Sequence, residues 1–414
     1  MNNSPLKSLR LVGVGLALML ATAPIVGLLS VILSLVLGNN PFDFIEGNPY
    51  DVVIVLFMLT IYGVMVGGLA QMREIVKETE IYKRERLVNL KIFPYILSKV
   101  WVAGVLALYQ AACYTIIQYL AFKMPGGVQE FFLILFSLAL ATMAGMMMGL
   151  FASALSPNAN AAPLIVIMLM LPQIVLGGAL VPLPETISNL TSTKWAYQGL
   201  MGITGGGADV AADACWFVDE EVRALMTEED KIENGCHCLG VSALHQESCN
   251  YPSLGSFYNP KIDEPLPQDP GEPPIRPPDV VVPPPPEKPE DESDNVAMAA
   301  YLDVLQDYQF EVESLQAQAK ADFAAYESEV TVYQAEVVVY QEATIEHQAA
   351  VAAAVQPAEA VMGTFVRDQP WTFVDKHNPE LFWPFLMKTW TAQLVMIVIL
   401  FAGILVLQKR KDVN

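Results

Sequence analysis

Charge is what this sequence has least of. Only 16% of its 414 residues are Asp, Glu, Lys or Arg, where soluble globular proteins carry about 25%. Hydrophobic residues make up 53% and mean hydropathy is +0.39. The apolar residues gather in long runs, which excludes an ordinary soluble enzyme and points to a chain that crosses a membrane several times. No Gly-x-x-x-x-Gly-Lys-Ser/Thr segment occurs. Without that phosphate-cradling loop the chain cannot hydrolyse ATP by the Walker mechanism. Basic residues are scarcest between Pro184 and Met387, where 9 Lys and Arg stand against 35 Asp and Glu, a net −26. The rest has 14 basic and 9 acidic residues, a net +5. The acidic segment therefore excludes nucleic acid as its partner, because phosphate binding needs positive charge.

Six runs are long enough to span a bilayer core of about 30 Å, which takes about 20 helical residues. They are Leu11–Leu37, Val52–Ala70, Val100–Phe122, Phe131–Leu155, Ala161–Leu183 and Thr389–Gln408. Lys7 and Arg10, the seven basic residues from Arg73 to Lys99, and Lys409, Arg410 and Lys411 fall on one side, and only Lys123 lies in the short loops of the other. The positive-inside bias then puts both termini in the cytoplasm and residues 184–387 outside, in a plasma or inner membrane. Lys7, Arg10 and Ala21-Thr-Ala23 also suit a signal peptide. However, Pro24 follows directly and the run continues to Leu37, too long for an h-region, so it is read as a span.

The fold class expected is therefore an all-α membrane protein with six transmembrane helices and a large extracytoplasmic insert. Residues 1–205 hold five spans, with a connecting helix over 72–98. Residues 206–258 form a cysteine-containing part, 259–294 a proline-rich extended segment, 295–356 a long alanine-rich helix, and 357–414 the return and last span.

The loop after the second span alternates charges at helical spacing, with Arg73 and Lys77, Glu74 and Glu78, and Glu80 and Arg84 at i,i+4. Too charged for lipid, it is expected to lie along the cytoplasmic surface, and Pro94 is expected to break it before the third span. By charge alone it is a solvated linker.

Arg84-Glu85-Arg86, Tyr95 and Ser98-Lys99 leading into a span resemble the connecting helix of G-subfamily ABC transporters and their bacterial relatives, the type-2 exporter permeases. Ser153-Ala-Leu-Ser-Pro157-Asn-Ala-Asn160, Leu171-Pro-Gln173-Ile-Val-Leu-Gly177-Gly178-Ala-Leu-Val-Pro182 and Lys194-Trp195-Ala-Tyr197 resemble later segments of that family, in the same order. The likeness covers residues 1–205 and the final span. It implies two permease copies facing each other, a homodimer in membrane lipid. It also implies a separate ATP-binding cassette ATPase that carries ATP and Mg, with no cofactor bound to this chain. The permease would move a lipid-like or amphipathic substrate by alternating access, and would not itself be an enzyme, with no catalytic residue. The same resemblance makes Glu74, Glu78, Arg84, Glu85 and Arg86 the candidates for coupling to the ATPase. It makes Phe57, Thr60, Tyr62 and Met65 of span two, with Met168, Leu171, Gln173 and Val175 of span five, the candidates for the substrate cavity. Thr60 and Gln173 serve equally well as helix–helix hydrogen bonds. An alternative of another class is a membrane-anchored structural or adhesion protein whose outer part does the work.

Span four carries Met143, Met146, Met147 and Met148 with Gly145 and Gly149. The glycines have the small-xxx-small spacing that lets helices approach closely, and the methionines are read as packing rather than as a metal site. No metal is expected elsewhere. Cys215, Cys236, Cys238 and Cys249 suit two disulfides in an oxidising compartment. Cys236 and Cys238 are too close to pair comfortably, which leaves Cys215 bonded to one of them and Cys249 to the other. Cys113 lies inside span three.

Residues 259–290 contain 13 prolines, which lack the amide donor and favour polyproline II. Residues 295–355 contain no Gly or Pro. Their large residues follow a heptad-like stripe from Leu305, Tyr308, Val312, Leu315 and Ala319, through one four-residue step to Phe323, then Tyr326, Val330, Tyr333, Val337 and Tyr340. Composition resembles the alanine-rich and proline-rich stalks of Gram-positive surface adhesins. Either the proline segment covers the stripe in the same chain, as a rod, or two protomers' helices form a coiled coil. Trp371, Phe373, Phe382, Trp383 and Trp390 follow as an interfacial aromatic belt.

Overall fold

A computed structural model describes residues 21–177, 185–289, 295–368 and 373–413, apart from 23, 26, 39, 224, 375 and 377. Lys7, Arg10, residues 11–20 of the first predicted span, Gly178 to Pro182 and Trp371 lie outside the described residues. The chain divides into two compact units, Met1–Tyr258 with Ala354–Asn414, and Asn259–Ala353. Every regular element among the described residues is helical. This is an all-α membrane protein.

The first unit contains α1 (Gly27–Leu37), α2 (Pro49–Gln71), α3 (Thr79–Leu87), α4 (Ile92–Ala121), α5 (Val128–Leu155), α6 (Ala162–Val175) and α7 (Ser192–Thr204). The long α8 (Asn295–Asp368) contributes its last turns, and α9 is Pro379–Val413. Five stretches are long and apolar enough to cross a membrane: Pro49–Leu87, Ile92–Ala121, Val128–Leu155, Asn295–Asp368 and Pro379–Lys411. The described parts of two predicted spans, α1 and α6, are shorter apolar helices. Asn295–Asp368 differs from the four others. Asp303, Asp307, Glu311, Glu313 and Asp322 punctuate its first half, and carboxylates of that density have no place in hydrocarbon.

Helix α2 begins where Asn48 accepts the Tyr50 N–H (3.0 Å) and Pro49 fills the first turn. It lies directly against α5. A Cβ on Gly145 would stand 2.1 Å from the Val64 carbonyl oxygen, and one on Gly149 2.3 Å from that of Gly68. The spaced glycines thus bring the two backbones into contact. Met146 and Met147 are fully buried in an apolar cluster with Ile96, Leu150 and Ile404. Helix α4 buries Ala103, Ala107, Gln110, Ala111, Tyr114 and Gln118. It exposes Trp101, Val105, Leu108, Ile116 and Leu120. Large apolar side chains outward and polar ones inward is the pattern of a helix solvated by lipid.

In the cysteine-containing part Cys215 pairs with Cys236 and Cys238 with Cys249. The buried Asp213 carboxylate joins the two loops, accepting the Cys215 N–H (2.9 Å) and the Cys238 N–H (2.8 Å). Helix α8 does not stop before Pro357, where the sequence reading ended it. It runs on to Asp368 and buries Ala354, Val355, Ala358, Met362 and Phe365. There the Phe365 ring stands edge-on to Tyr50 (5.7 Å) and Tyr251 (5.4 Å), and Glu359 accepts the Gly240 N–H (3.0 Å). Tertiary packing outweighs the amide donor that Pro357 removes.

In the second unit, the residues after the short turn Pro260–Ile262 extend without helix or strand beside α8. Every stripe position from Leu305 to Tyr340 is half-buried except Phe323, which is 41% exposed. The Tyr308 hydroxyl donates to the Pro283 carbonyl (3.0 Å), that of Tyr333 to Gly271 (3.1 Å), and Lys261 pairs with Glu346.

Candidate functional site

The connection between α2 and α4 is an elbow built from three features. Helix α2 ends at Gln71, a single 3-10 turn covers Val76–Glu78, and α3 follows. Ile75 is 2% exposed and belongs to the Met146/Met147 cluster. Its N–H and that of Val76 both donate to the buried Ser153 hydroxyl near the end of α5, each at 3.0 Å. Two amides that α2 no longer satisfies thus find one acceptor on a neighbouring helix.

The middle of the elbow is tied to the start of α4. The Glu78 carboxylate accepts from Lys99 Nζ at 2.6 Å and from the Tyr95 hydroxyl at 3.2 Å. The ring of buried Tyr82 stands 4.9 Å from that of Tyr95. Charge-assisted hydrogen bonds on half-buried groups are the stronger kind. The chain then reverses through Asn89, whose φ of +74° lies in the left-handed region that Asn tolerates. Pro94 therefore does not make the break expected of it. The break precedes Ile92, and Pro94 sits in the first turn of α4, where its missing N–H has no intrahelical partner to lose.

The five coupling candidates fall into two groups. Glu74 pairs with Lys77 at i,i+3, Glu78 is held by Lys99 and Tyr95, and the Arg86 guanidinium donates to the Leu90 carbonyl at the end of α3. The side chains of Arg84 and Glu85 are exposed. Beside them Leu87 and Val88 are 89% and 82% exposed. Sequence reasoning quoted Ser153, Tyr95 and Lys99 only as marks of resemblance and gave them no partner. Glu78 and Lys99 are 21 positions apart, beyond any helical periodicity.

The cavity candidates also separate. Phe57 is fully buried, edge-on to Tyr197 at 5.8 Å. Thr60 is buried and donates to the Phe57 carbonyl (2.7 Å) within its own helix. Tyr62 and Met65 are half-buried. Gln173 caps α7: its Oε1 accepts the Ser192 N–H (3.0 Å), and its backbone carbonyl accepts the Thr193 hydroxyl (2.6 Å). Every residue of α7 is buried, including Lys194, whose Nζ donates to Asn189 at 2.6 Å and lies 3.9 Å over the Trp195 ring. Met168, Leu171 and Val175 are exposed on one face of α6 with Leu164. The four recur at three- and four-residue steps, one apolar stripe. Among the described residues no three His, Cys, Asp or Glu side chains gather to hold a metal ion.

Residues 14–203 match the protein family described as ABC-2 type transporter. Over 180 residues, 41% of this chain, the sequence is 28% identical to the "ABC transporter ATP-binding/permease protein Rv1747" of Mycobacterium tuberculosis (strain ATCC 25618 / H37Rv). The match spans 20% of that protein's length. The family supports an ABC transporter permease.

Proposed function

We propose that this chain is the permease of an ATP-driven exporter, two copies of which face each other in the membrane. ATP and Mg are bound by an ATP-binding cassette ATPase on a separate partner, which hydrolyses the nucleotide. The elbow receives the motion of that ATPase. The observation that carries this reading is its double attachment. Ser153 holds its beginning to α5 and Lys99 with Tyr95 holds its middle to α4. A push on Arg84, Glu85 and the exposed Leu87–Val88 tip would thus pass into the bundle rather than be absorbed by a hinge.

In this reading six spans place both termini and the elbow in the cytoplasm and residues 184–387 outside, where the disulfides suit an oxidising compartment. The exposed stripe of Leu164, Met168, Leu171 and Val175 meets the second copy, and the half-buried Tyr62 and Met65 of α2 line the path with it. Spans almost free of charge suit a lipid-like or amphipathic substrate.

Affinity purification of the chain from its native membrane tests this reading. A P-loop ATPase should co-purify, and Glu85→Ala should abolish the stimulation of its ATP hydrolysis by the permease while leaving the complex assembled. A native assembly without any nucleotide-hydrolysing subunit refutes it.

A further inference from the structure

The second unit pairs an extended proline-rich segment with one face of α8. Its elements run antiparallel: Pro283 lies beside Tyr308, Arg276 over Phe323 (5.9 Å), Gly271 beside Tyr333, and Lys261 against Glu346. The spacing of the first three contacts follows one rule. From 308 to 323 is fifteen residues, about 22 Å of α-helix at ~1.5 Å each. From 283 to 276 is seven residues, about 22 Å of polyproline II at ~3.1 Å each. From 323 to 333 and from 276 to 271, the two lengths are about 15 Å and about 15 Å. A three-residue polyproline turn advances ~9 Å and a helical heptad ~10 Å. Between Tyr308 and Tyr333 one heptad therefore presents its stripe to about one turn of the strand.

The chemistry of the contacts fits the same occupant. A proline-rich strand has few N–H donors but keeps every carbonyl as an acceptor. The helix meets it with tyrosine hydroxyls, which donate. Both elements are acidic, residues 295–353 with ten Asp and Glu against one Lys and residues 261–289 with six against three Lys and Arg, and the cations that do meet the helix are Lys261 on Glu346 and Arg276 over a ring. The fit is incomplete. Cavities of ≈ 730 Å³, at Pro277, Val281, Leu315 and Phe323, and ≈ 610 Å³, at Pro267, Pro270, Val332 and Val339, remain between strand and helix. Few, partly solvated contacts make a strand that can lift.

We infer that the tyrosine-bearing stripe of α8 is a reader of extended, proline-rich polypeptide, and that residues 263–289 are its occupant in cis. The partner is such a segment on another protein. The tethered strand competes at an effective concentration in the millimolar range, so a partner gains the face only when it is abundant or held nearby.

The test uses the full chain with residues 263–289 deleted, in detergent micelles, and a fluorescent synthetic peptide with the sequence of residues 259–289, read by anisotropy. Saturable binding at least tenfold tighter than to the intact chain is expected. Tyr308→Phe with Tyr333→Phe in the deletion background should weaken it at least fivefold. Equal binding of a peptide with alanine at every proline, or affinity unchanged by the double substitution, overturns the inference. So does a deletion chain that pairs with a second copy through α8 and is not dissociated by peptide. If the deletion costs α8 its slow amide exchange, the intact chain decides: excess peptide should speed exchange at Ile275, Arg276 and Val280, and no change overturns the inference. None of these readouts involves transport.

Discussion

Replacing Lys99 by Met removes the cation from Glu78 while keeping the length and apolar body of the side chain. The two groups are 18% and 30% exposed, so water only partly replaces the lost partner. A hydrogen bond to a charged group contributes about 1.5–3 kcal/mol. Discounted for partial solvation, the loss should be about 1–2 kcal/mol. Glu78→Gln should cost less, because Gln still accepts from Tyr95 and Lys99 then faces a neutral oxygen. In the double variant the lone charge disappears, so the two costs should not add. A coupling of about 1 kcal/mol is expected, within the range seen for residues in direct contact. Thermal unfolding of the purified chain in detergent, followed by tryptophan fluorescence, reads the cycle as melting shifts of roughly 2–6 °C for the Lys99 variant. Additive single effects would mean that Glu78 and Lys99 do not hold the elbow to α4.

Three further outcomes follow from other parts of the molecule. Gly145→Leu should prevent α2 and α5 from closing, since even its Cβ would clash with the Val64 carbonyl, whereas Gly104→Ala meets nothing within 4 Å. Size-exclusion profiles should show aggregation of the first and a normal peak for the second. Asp213→Asn keeps the shape but can offer only one carboxamide oxygen to the Cys215 and Cys238 amides. Peptide mapping should then find a fraction of Cys215 bonded to Cys238 instead of Cys236, and native pairing alone would refute the role of the carboxylate.

The Lys261–Glu346 pair makes a pH statement. The Lys261 ammonium holds the Glu346 carboxyl below its ordinary range, and Glu346 raises Lys261 in return. The depressed carboxyl contributes above its ordinary pKa and loses that contribution as pH falls through the folded value. The raised ammonium contributes below its ordinary pKa and loses that contribution as pH rises through its folded value. Amide exchange at Ile262 and Asp263, corrected for the intrinsic pH dependence, should therefore be slowest across the neutral range and accelerate towards strong acid. A flat corrected profile refutes the pairing.

Much of the architecture was legible because it is carried by periodicity. The stripe from Leu305 to Tyr340 is the half-covered face of α8, and its one break in the three–four alternation falls at Phe323, the one exposed position. The spaced glycines of α5 are the points of backbone contact, and Cys215, Cys236, Cys238 and Cys249 pair as two disulfides. Each of these depends on side-chain size or spacing within one element or one short segment.

Partners distant in the sequence were not legible. Nothing near Ser153 announces that its hydroxyl will take two amides from Ile75 and Val76, or that Gln173 will cap α7. Pro357 read as an end because the local preference of proline is to end a helix, yet the packing of Met362 and Phe365 carries α8 to Asp368. The sequence by itself determined that helices would form, how apolar they would be and which face of the long one would be covered, since those follow from composition and a repeat of about 3.6. Only the tertiary structure decided which polar groups meet. Their pairing depends on where separate helices come to rest against each other, and no periodicity within one helix encodes that.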